Sequence, residues 1–591
     1  MKKFKIQYKA YWFLLVFGIF ITQNWINFFY LAPTNSDFDK YYDYINYFMG
    51  LDVVIDYGQG TFYYYLISLF FQRKIVMLDE TNIDILLSYS VQQVNLIFYL
   101  IGILGAFQLL KLKKFEKREI LLSLMLLSIF PQSLYMRSVM KPEIVAFALI
   151  FWIIFFLEKF LKTNDLNNLF FLIPFLVLLI NTKASIAGMV IVYLLTFYFK
   201  ILNRIKIKKI VLLILLTLTC QLAIQFENYQ ITNLSPFERV YDEEYDYKAK
   251  ASSIFRFNLS DLFTDPFFTY NYEENFYSIH ANSIINITLL DTFGDHFKQL
   301  FDSRPSYFSK YRKAIFVNDS EVFITPNREI NYQGPFNELL SNDLYHVRKV
   351  VPVLFSFFFY VGILYYAYKY KKRRKFYLAP FVGIIILYIN SLGIPSNNFN
   401  PFKGDTYKPF YYGFLLSVAF LFFLAESLKK INLFKVLFIF LFIFSMIFVA
   451  GHPKSNSQIL SENIVAMNEY SNFCEINNLI FLENKLISNL HVSGNINDFK
   501  SDCENFSTHK FMQLNNQPSN NSNYNQCVES NGKLNSNFSN SKECRIYAIN
   551  IVNSEQTDRK APPYFSLLLA LGCIVIIFKD RNILLKKKQS N

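Results

Sequence analysis

The sequence predicts an all-α polytopic membrane protein with about twelve transmembrane helices, extracytoplasmic loops and a small extracytoplasmic disulfide-bearing domain. Hydrophobic residues make up 53% of the 591 residues, which is more than a soluble chain of this length could bury. These residues occur in runs close to the length that crosses a bilayer. Short basic clusters stand at alternate ends of the runs, as the positively charged cytoplasmic loops of membrane proteins do.

The predicted spans are apolar stretches of about 17–22 residues. They cover residues 11–31, 91–110, 119–136, 143–161, 167–182, 185–199, 210–226, 350–368, 376–394, 409–427, 433–450 and 563–579. The first suits an uncleaved span better than a signal-peptide core, because no small-residue cleavage site follows it. Residues 60–78 would upset the charge alternation if they spanned, so we expect a helix along the outer leaflet with its tyrosines at headgroup level.

The basic clusters predict the orientation of the chain. They are "MKKFKIQYK" at the start, "KLKKFEKR", "KILNRIKIKK", "KYKKRRK", "KK" at 429–430 and "KKK" at 586–588. All of them fall in the cytoplasm if the N-terminus does, which also makes the C-terminus cytoplasmic. The net charge of +14 then reflects membrane orientation, and nucleic acid is not an expected partner. We expect a bacterial inner-membrane protein whose active site faces the exterior.

Three regions follow from this topology. Residues 1–450 form a transmembrane module with exported loops at 32–90 and 227–349, and residues 563–591 form the last helix and a basic cytoplasmic tail. Between them, residues 451–562 form an exported segment with four cysteines, Cys474, Cys503, Cys527 and Cys544. Cysteines confined to an exported segment predict two disulfides, although four unpaired thiols remain the alternative. Their pairing stays open because four cysteines allow three connectivities.

The motifs of several enzyme classes are missing. The sequence contains no Walker A motif, no G-x-G-x-x-G after a strand, no H-E-x-x-H and no G-x-S-x-G elbow. These absences disfavour a nucleotide-driven pump and a serine hydrolase. Few charged residues lie in the middle of predicted spans, which disfavours an ion-coupled transporter.

Polar residues gather instead at the predicted exported ends of the helices. The candidates are Asp37, Asp39, Tyr41 and Tyr42 in the first loop; Arg137, Lys141 and Glu143 in "YMRSVMKPE"; Lys183 in "NTKAS"; and Lys403, Tyr407 and Lys408 in "NNFNPFKGDTYKP". Cations that bind a phosphate, with a carboxylate as base, suit an enzyme acting on a lipid-linked phosphate.

Each candidate also has a structural interpretation. The D-x-D pair of Asp37 and Asp39 is the pattern of a solvated turn or a helix cap as well. Arg137 and Lys141 are equally placed for contacts to lipid headgroups. Lys183 is different, because a lysine in a tight apolar hairpin is costly unless it has an anionic partner or extends outward.

This arrangement resembles the membrane-embedded C-type (GT-C) glycosyltransferases, which include the lipid A aminoarabinose transferase and the protein O-mannosyltransferases. Their shared mark is an acidic motif in the first exported loop followed by an interfacial helix. Here "SDFDKYYDYI" and "DYGQGTFYYYLISLF" are similar to that pair. The resemblance covers the arrangement of residues 1–430. Gln59 replaces the proline expected after "YG", and the acidic motif is not the family's D-E pair.

The resemblance implies a polyprenyl-phosphate sugar as donor and a glycan, lipid or protein as acceptor, with membrane lipids around the enzyme. Asp37 or Asp39 would deprotonate the acceptor hydroxyl for an inverting displacement, as in the base of an inverting glycosidase. Lys183, with Arg137 or Lys141, would bind the donor phosphate. Some family members use a divalent metal ion and others do not, so the cofactor stays open. The candidate metal ligands are His280, Asp291, Asp295 and His296.

Two other functions remain as alternatives. An O-antigen-type polysaccharide polymerase or ligase would use arginines in its exported loops, and residues 227–349 contain six of them: Arg239, Arg256, Arg304, Arg312, Arg328 and Arg348. A non-enzymatic transporter of lipid-linked sugars would need charged residues deep within its spans.

Overall fold

The structure is a computed structural model of the full chain. It describes residues 2–29, 41, 44–45, 47–49, 55, 60–77, 83–232, 270–271, 276–277, 284–294, 313–317, 320–324, 344–391, 409–430, 436, 439, 490–492 and 562–586. The predicted cysteine pairs lie outside these residues, as do Asp37, Asp39, Tyr42, Lys403, Tyr407 and Lys408.

The described chain is mostly helical, as the sequence predicts. The first nine helices are α1 (Lys2–Phe29), α2 (Thr61–Met77), α3 (Ile83–Leu112), α4 (Lys117–Ser128), α5 (Pro131–Ser138), α6 (Glu143–Thr163), α7 (Asn167–Thr182), α8 (Ala184–Leu202) and α9 (Ile207–Thr232). They are followed by α10 (Ile284–Gly294), α11 (Leu344–Lys369), α12 (Arg374–Ser391), α13 (Gly413–Ser427) and α14 (Tyr564–Lys586). Short 3₁₀ turns at Lys371–Arg373 and Leu428–Lys430 adjoin α12 and α13.

The described residues of the long loop segments include five short strands, which the predicted all-α fold lacks. They are β1 (Tyr270–Asn271), β2 (Phe276–Tyr277), β3 (Lys313–Val317), β4 (Ser320–Ile324) and β5 (Leu490–Val492). Strands β1 and β2 form an antiparallel pair, and β3 lies between β4 and β5 in a second antiparallel sheet. The pairing of β3 with β5 joins the backbone of loop 227–349 to that of segment 451–562.

The apolar helices are compatible with a helical membrane protein. Among the described residues, three helices are long and apolar enough to cross a bilayer, at Leu87–Leu112, Glu143–Thr163 and Ile207–Thr232. Two further pairs of consecutive helices are each joined by a short, sharply bent break. The number rises to five if each pair forms one span. Shorter apolar helices lie at Asn167–Thr182, Ser185–Tyr198, Gly413–Ser427 and Tyr564–Lys579. The predicted total of twelve spans stays a prediction.

The predicted third span, residues 119–136, is a broken helix in the structure. Its two halves, α4 and α5, meet at 59°. Pro131 is the first residue of α5, and a proline there cannot continue α4 because it has no backbone N–H to donate. The carbonyl of Ser128 at the end of α4 accepts a 2.7 Å hydrogen bond from Nη2 of Arg137.

Helices α3 and α6 pack closely at the centre of the bundle. Gly102 and Gly105 of α3 face Phe147 and Trp152 of α6, where a Cβ atom would overlap these rings. Small residues allow membrane helices to approach in this way. In the most apolar 18-residue stretch of α6, 89% of the residues are buried. In the corresponding stretch of α9, only 6% are buried. Helix α9 therefore presents apolar side chains outward, as a helix facing lipid does.

Helix α2 contacts its neighbours through its tyrosines. The predicted helix at residues 60–78 is present, but Tyr63 and Tyr64 are buried within the protein rather than directed outward. Tyr63 donates a 2.8 Å hydrogen bond to Oδ1 of Asn95 in α3. The ring of Tyr64 stacks on Tyr41 and Tyr44, which brings the end of the first loop against α2.

A charged network, here called the basic end, joins helix ends at one side of the bundle. Glu158 of α6 forms ion pairs with Lys113 and Lys375. Glu426 of α13 forms ion pairs with Arg373 and Lys429 in the same manner. Burial lowers the pKa of Lys113, and the neighbouring Glu158 carboxylate opposes this shift. Two carboxylates thus link the ends of α3, α6, α12 and α13.

The ion pairs of the basic end lead us to expect that neutralising Glu158 destabilises the fold. Glu158→Gln leaves Lys113 and Lys375 side by side without a counter-charge. We expect a loss of about 2 kcal/mol in the free energy of unfolding, because both lysines are largely buried. The measurement is equilibrium unfolding of the detergent-purified chain.

Asp165→Asn is the matched control for this change. Asp165 is an exposed carboxylate that accepts the backbone N–H of Asn167 at 3.0 Å, and asparagine fills such a position equally well. The control should change stability by less than about 0.5 kcal/mol. Equal effects of the two substitutions would contradict a stabilising role for Glu158.

Candidate functional site

Two lysines, a glutamate and a tyrosine meet at the end of α6 opposite the basic end. We call this group, Lys141, Glu143, Lys183 and Tyr411, the lysine pocket. The ammonium of Lys183 lies 3.2 Å from Oε1 of Glu143 and donates to the hydroxyl of Tyr411 at 2.7 Å. Lys141 donates to the same hydroxyl at 3.1 Å. All four residues are buried, so three connections that are distant in sequence form one polar site.

Lys183 is the single residue between two helices. Helix α7 ends at Thr182, α8 begins at Ala184, and Lys183 has extended backbone angles of φ −166° and ψ 138°. Its side chain is 11% exposed, while that of Glu143 is fully buried. The sequence required an anionic partner for a lysine in this hairpin, or an outward path. Glu143 is that partner.

Asn95 of α3 fixes the connection that carries Lys141 and Glu143. Its amide nitrogen donates to the carbonyl of Val139 at 2.9 Å, while its amide oxygen accepts from the hydroxyl of Tyr63. Pro142 then precedes Glu143, the first residue of α6. Helices α2 and α3 therefore determine the position of Lys141 by holding the backbone just before it.

Tyr411 belongs to a turn at residues 409–412, directly before α13. The backbone N–H of Phe410 donates to Oδ2 of Asp291 at 2.8 Å, and the ring of Tyr135 lies 5.9 Å from that of Tyr411. Helix α10 thus supports the turn through a buried carboxylate. The sequence analysis missed Tyr411, since its signal is one aromatic residue in the run "PFYYGF" and such runs are common at membrane interfaces.

Tyr41, a described residue of the first loop, lies beside the lysine pocket. Its ring is buried and stacks on Tyr64, and the ammonium of Lys141 lies 5.2 Å from the ring centroid, within the range of a cation–π contact. The structure therefore brings together four of the predicted residues, Tyr41, Lys141, Glu143 and Lys183. Asp37 and Asp39, which precede Tyr41 by four and two positions, lie outside the described residues.

Arg137 occupies a different place from the predicted phosphate site. Its guanidinium donates to the hydroxyl of Thr22 at 2.9 Å and to the carbonyl of Ser128, and it stacks over the ring of Tyr99. These contacts join α1, α3 and the break between α4 and α5. Arg137 thus donates a hydrogen bond to a backbone carbonyl at the break between α4 and α5. Its binding to a phosphate stays a prediction.

The lysine pocket has the chemistry of an anion site. Among the described residues it contains two ammonium groups and one carboxylate, and the hydroxyl of Tyr411 accepts hydrogen bonds from both ammonium groups. Ammonium groups in surroundings of low dielectric bind a phosphate oxygen strongly.

No metal centre is found in the part of the chain that the structure describes. No group of three or more His, Cys, Asp or Glu side chains comes together there. Of the candidate ligands, Asp291 accepts the Phe410 N–H, while His280, Asp295 and His296 lie outside the described residues. A metal site in this loop stays a prediction.

Neither of the comparisons with known proteins identifies the chain. No protein-family model matches it, and no curated protein matches it. The resemblance to C-type glycosyltransferases therefore rests on the order and spacing of the sequence motifs, and the geometry of the lysine pocket carries the functional argument.

A double-mutant cycle tests the ion pair. Glu143→Gln alone should lower the free energy of unfolding by about 3–5 kcal/mol, because it removes the carboxylate that pairs with buried Lys183. Adding Lys183→Met should recover at least about 1 kcal/mol relative to the sum of the single effects. Equilibrium unfolding in rising SDS fraction gives these values. Additivity within about 0.5 kcal/mol would mean that the two residues do not interact.

Proposed function

We propose that the protein is a membrane glycosyltransferase of the C-type, which moves a sugar from a polyprenyl-phosphate donor to an acceptor on the extracytoplasmic side. The observation that carries this proposal is the contact between Tyr41 and Lys141. Tyr41 follows Asp37 and Asp39 by four and two positions, so the chain connects the proposed base directly to a residue that contacts the lysine pocket.

The lysine pocket suits a lipid phosphate. Tyr411 offers a neutral hydroxyl to both ammonium groups, and a phosphate oxygen is a stronger acceptor for them because it is charged. A phosphate can therefore replace the hydroxyl while the ion pair between Lys183 and Glu143 remains. The lysines would stabilise the charge that develops on the leaving phosphate.

Covalent geometry supports a role for the D-x-D pair. Two residues of chain reach at most about 7 Å, which bounds the distance between the Cα atoms of Asp39 and Tyr41, and four residues reach about 14 Å for Asp37. Either carboxylate would act as general base. It would remove the proton of the acceptor hydroxyl, the hydroxyl oxygen would bond to the anomeric carbon, and the bond from that carbon to the phosphate oxygen would break.

The proposed sidedness places the basic end in the cytoplasm and the lysine pocket outside it. Glu143 and Glu158 lie fifteen positions apart in α6, which corresponds to about 22 Å along a helix. This separation is comparable to the thickness of the hydrocarbon core, about 30 Å. A single helix thus connects the two charged ends, each at a depth where polar groups can reach the interface.

The decisive substitutions are Asp37→Asn and Asp39→Asn, made separately. Loss of the general base should reduce transfer from a labelled polyprenyl-phosphate sugar by about 10²- to 10⁴-fold in one of them. The assay uses the purified chain in lipid, with each of several donor sugars and an extract of cell-envelope acceptors. Full activity of both variants with an accepted donor would overturn the catalytic role of the pair.

Asp43→Asn is the matched control for these two variants. It makes the same change of carboxylate to amide in the same loop, two residues after Tyr41. Its activity should stay within about threefold of that of the unmodified chain, as expected for a carboxylate without a catalytic role. An equal loss in all three variants would indicate a general effect of charge on the loop and not a single base.

A further inference from the structure

A cavity whose lining includes the sequence neighbours of Glu143 and Lys183 contains no charged side chain in its wall, which combines apolar groups with a few amides and hydroxyls. It occupies about 300 Å³, counting the space at its open mouth. Its wall includes the start of α2, the end of α7, and Asn228 of α9. The enclosed part has room only for a group the size of a water molecule or a hydroxyl. We call this space the amide cavity.

Two residues of the amide cavity are close in sequence to residues of the lysine pocket. Thr182 lines the cavity and is followed directly by Lys183. Val145 lines it from α6, two positions after Glu143. A Cβ atom on Gly60 would overlap the backbone carbonyl of Asn181, so the chain approaches this wall more closely than other residues permit. The cavity wall and the lysine pocket are therefore built on adjacent positions at the start of α6 and the end of α7.

Asn228 carries an unused hydrogen-bond donor at this wall. The residue is 1% exposed. Its Oδ1 accepts from both the hydroxyl and the backbone N–H of Thr61, at 2.8 and 3.4 Å. Because a backbone N–H can only donate, this contact fixes which amide atom faces Thr61. Among the described residues, Nδ2 has no hydrogen-bond partner, and a buried donor of this kind costs stability unless something binds it.

We propose that the amide cavity receives a hydroxyl group of the donor sugar, with Nδ2 of Asn228 as its hydrogen-bond donor, and so contributes to the choice of sugar. The inference rests on the proposed function, in which the lysine pocket holds the phosphate next to that sugar. A wall without charged side chains, in which an amide donor is available, fits a neutral hydroxyl and disfavours a charged substituent. A site built to bond a hydroxyl discriminates against sugars that lack it, because its polar group is then left unpaired.

The test compares sugar-bearing and bare lipid phosphates. The full chain, purified in detergent, is titrated with polyprenyl phosphate and with a panel of its glucose, galactose, mannose, N-acetylglucosamine and arabinose derivatives, each competing with a fluorescent polyprenyl phosphate. We expect at least one derivative to bind more tightly than the bare phosphate. Asn228→Ser should reduce that advantage by about 5- to 30-fold, the effect of one lost hydrogen bond, while the affinity for bare phosphate stays the same.

Two further variants keep the result interpretable. Asn228→Ala removes the donor without adding a charge, so it should reduce the same ratio of affinities even if the serine variant folds poorly. Asn168→Ser makes the same change at a buried asparagine at the other end of α7, and should leave the ratio unchanged.

The outcomes separate this proposal from the function on which it rests. If the chain binds bare phosphate but no derivative more tightly, or if both Asn228 variants keep the full advantage, the cavity holds only a buried water and the proposal is wrong. The phosphate site would stand in both cases. If the chain binds neither the bare phosphate nor any derivative, the proposed function fails and this inference fails with it.

Discussion

The cost of burying an ammonium group governs the arrangement of the lysine pocket. Lys183 follows α7 directly and is largely inaccessible to water, so it needs a carboxylate within a few ångströms. Glu143 meets this need only because α6 begins beside the turn between α7 and α8. Tyr411 and Lys141 then join the pair through one hydroxyl. Three segments are held together by a charge that none of them could bury alone.

Both ends of the bundle bury cations beside carboxylates, but they differ in how readily they could bind an anion. At the basic end each carboxylate lies between two cations, and those cations keep partial contact with water. At the lysine pocket Glu143 pairs with Lys183, and the phenol of Tyr411 accepts hydrogen bonds from both lysines. An incoming anion can displace a phenol more readily than a carboxylate, because it does not have to separate an ion pair. This difference makes the lysine pocket the better candidate for binding a phosphate.

Sequence patterns predict the helical class well, since runs of apolar residues and alternating basic clusters both follow from the bilayer. They also indicate Lys183, whose position in a tight hairpin demands a partner. They do not reveal that the partner is Glu143, because no local rule links residues forty positions apart. Tyr411, Asn95 and Asn228 escape detection for the same reason, as each looks like an ordinary polar residue of a membrane helix or its end. The break at Pro131 has a local signal, the proline itself. The continuous apolar run over residues 119–136 nevertheless favours a single unbroken span.

The location of a bound lipid phosphate tests the central claim most directly. The measurement is a cryo-electron microscopy map of the full chain in a lipid nanodisc with polyprenyl phosphate. The account predicts phosphate oxygens at hydrogen-bond distance, about 2.7–3.2 Å, from Nζ of Lys141 or Lys183, with the hydroxyl of Tyr411 displaced and Glu143 still paired. A phosphate bound at the basic end beside Lys113 and Lys375, with the lysine pocket unchanged, would contradict it.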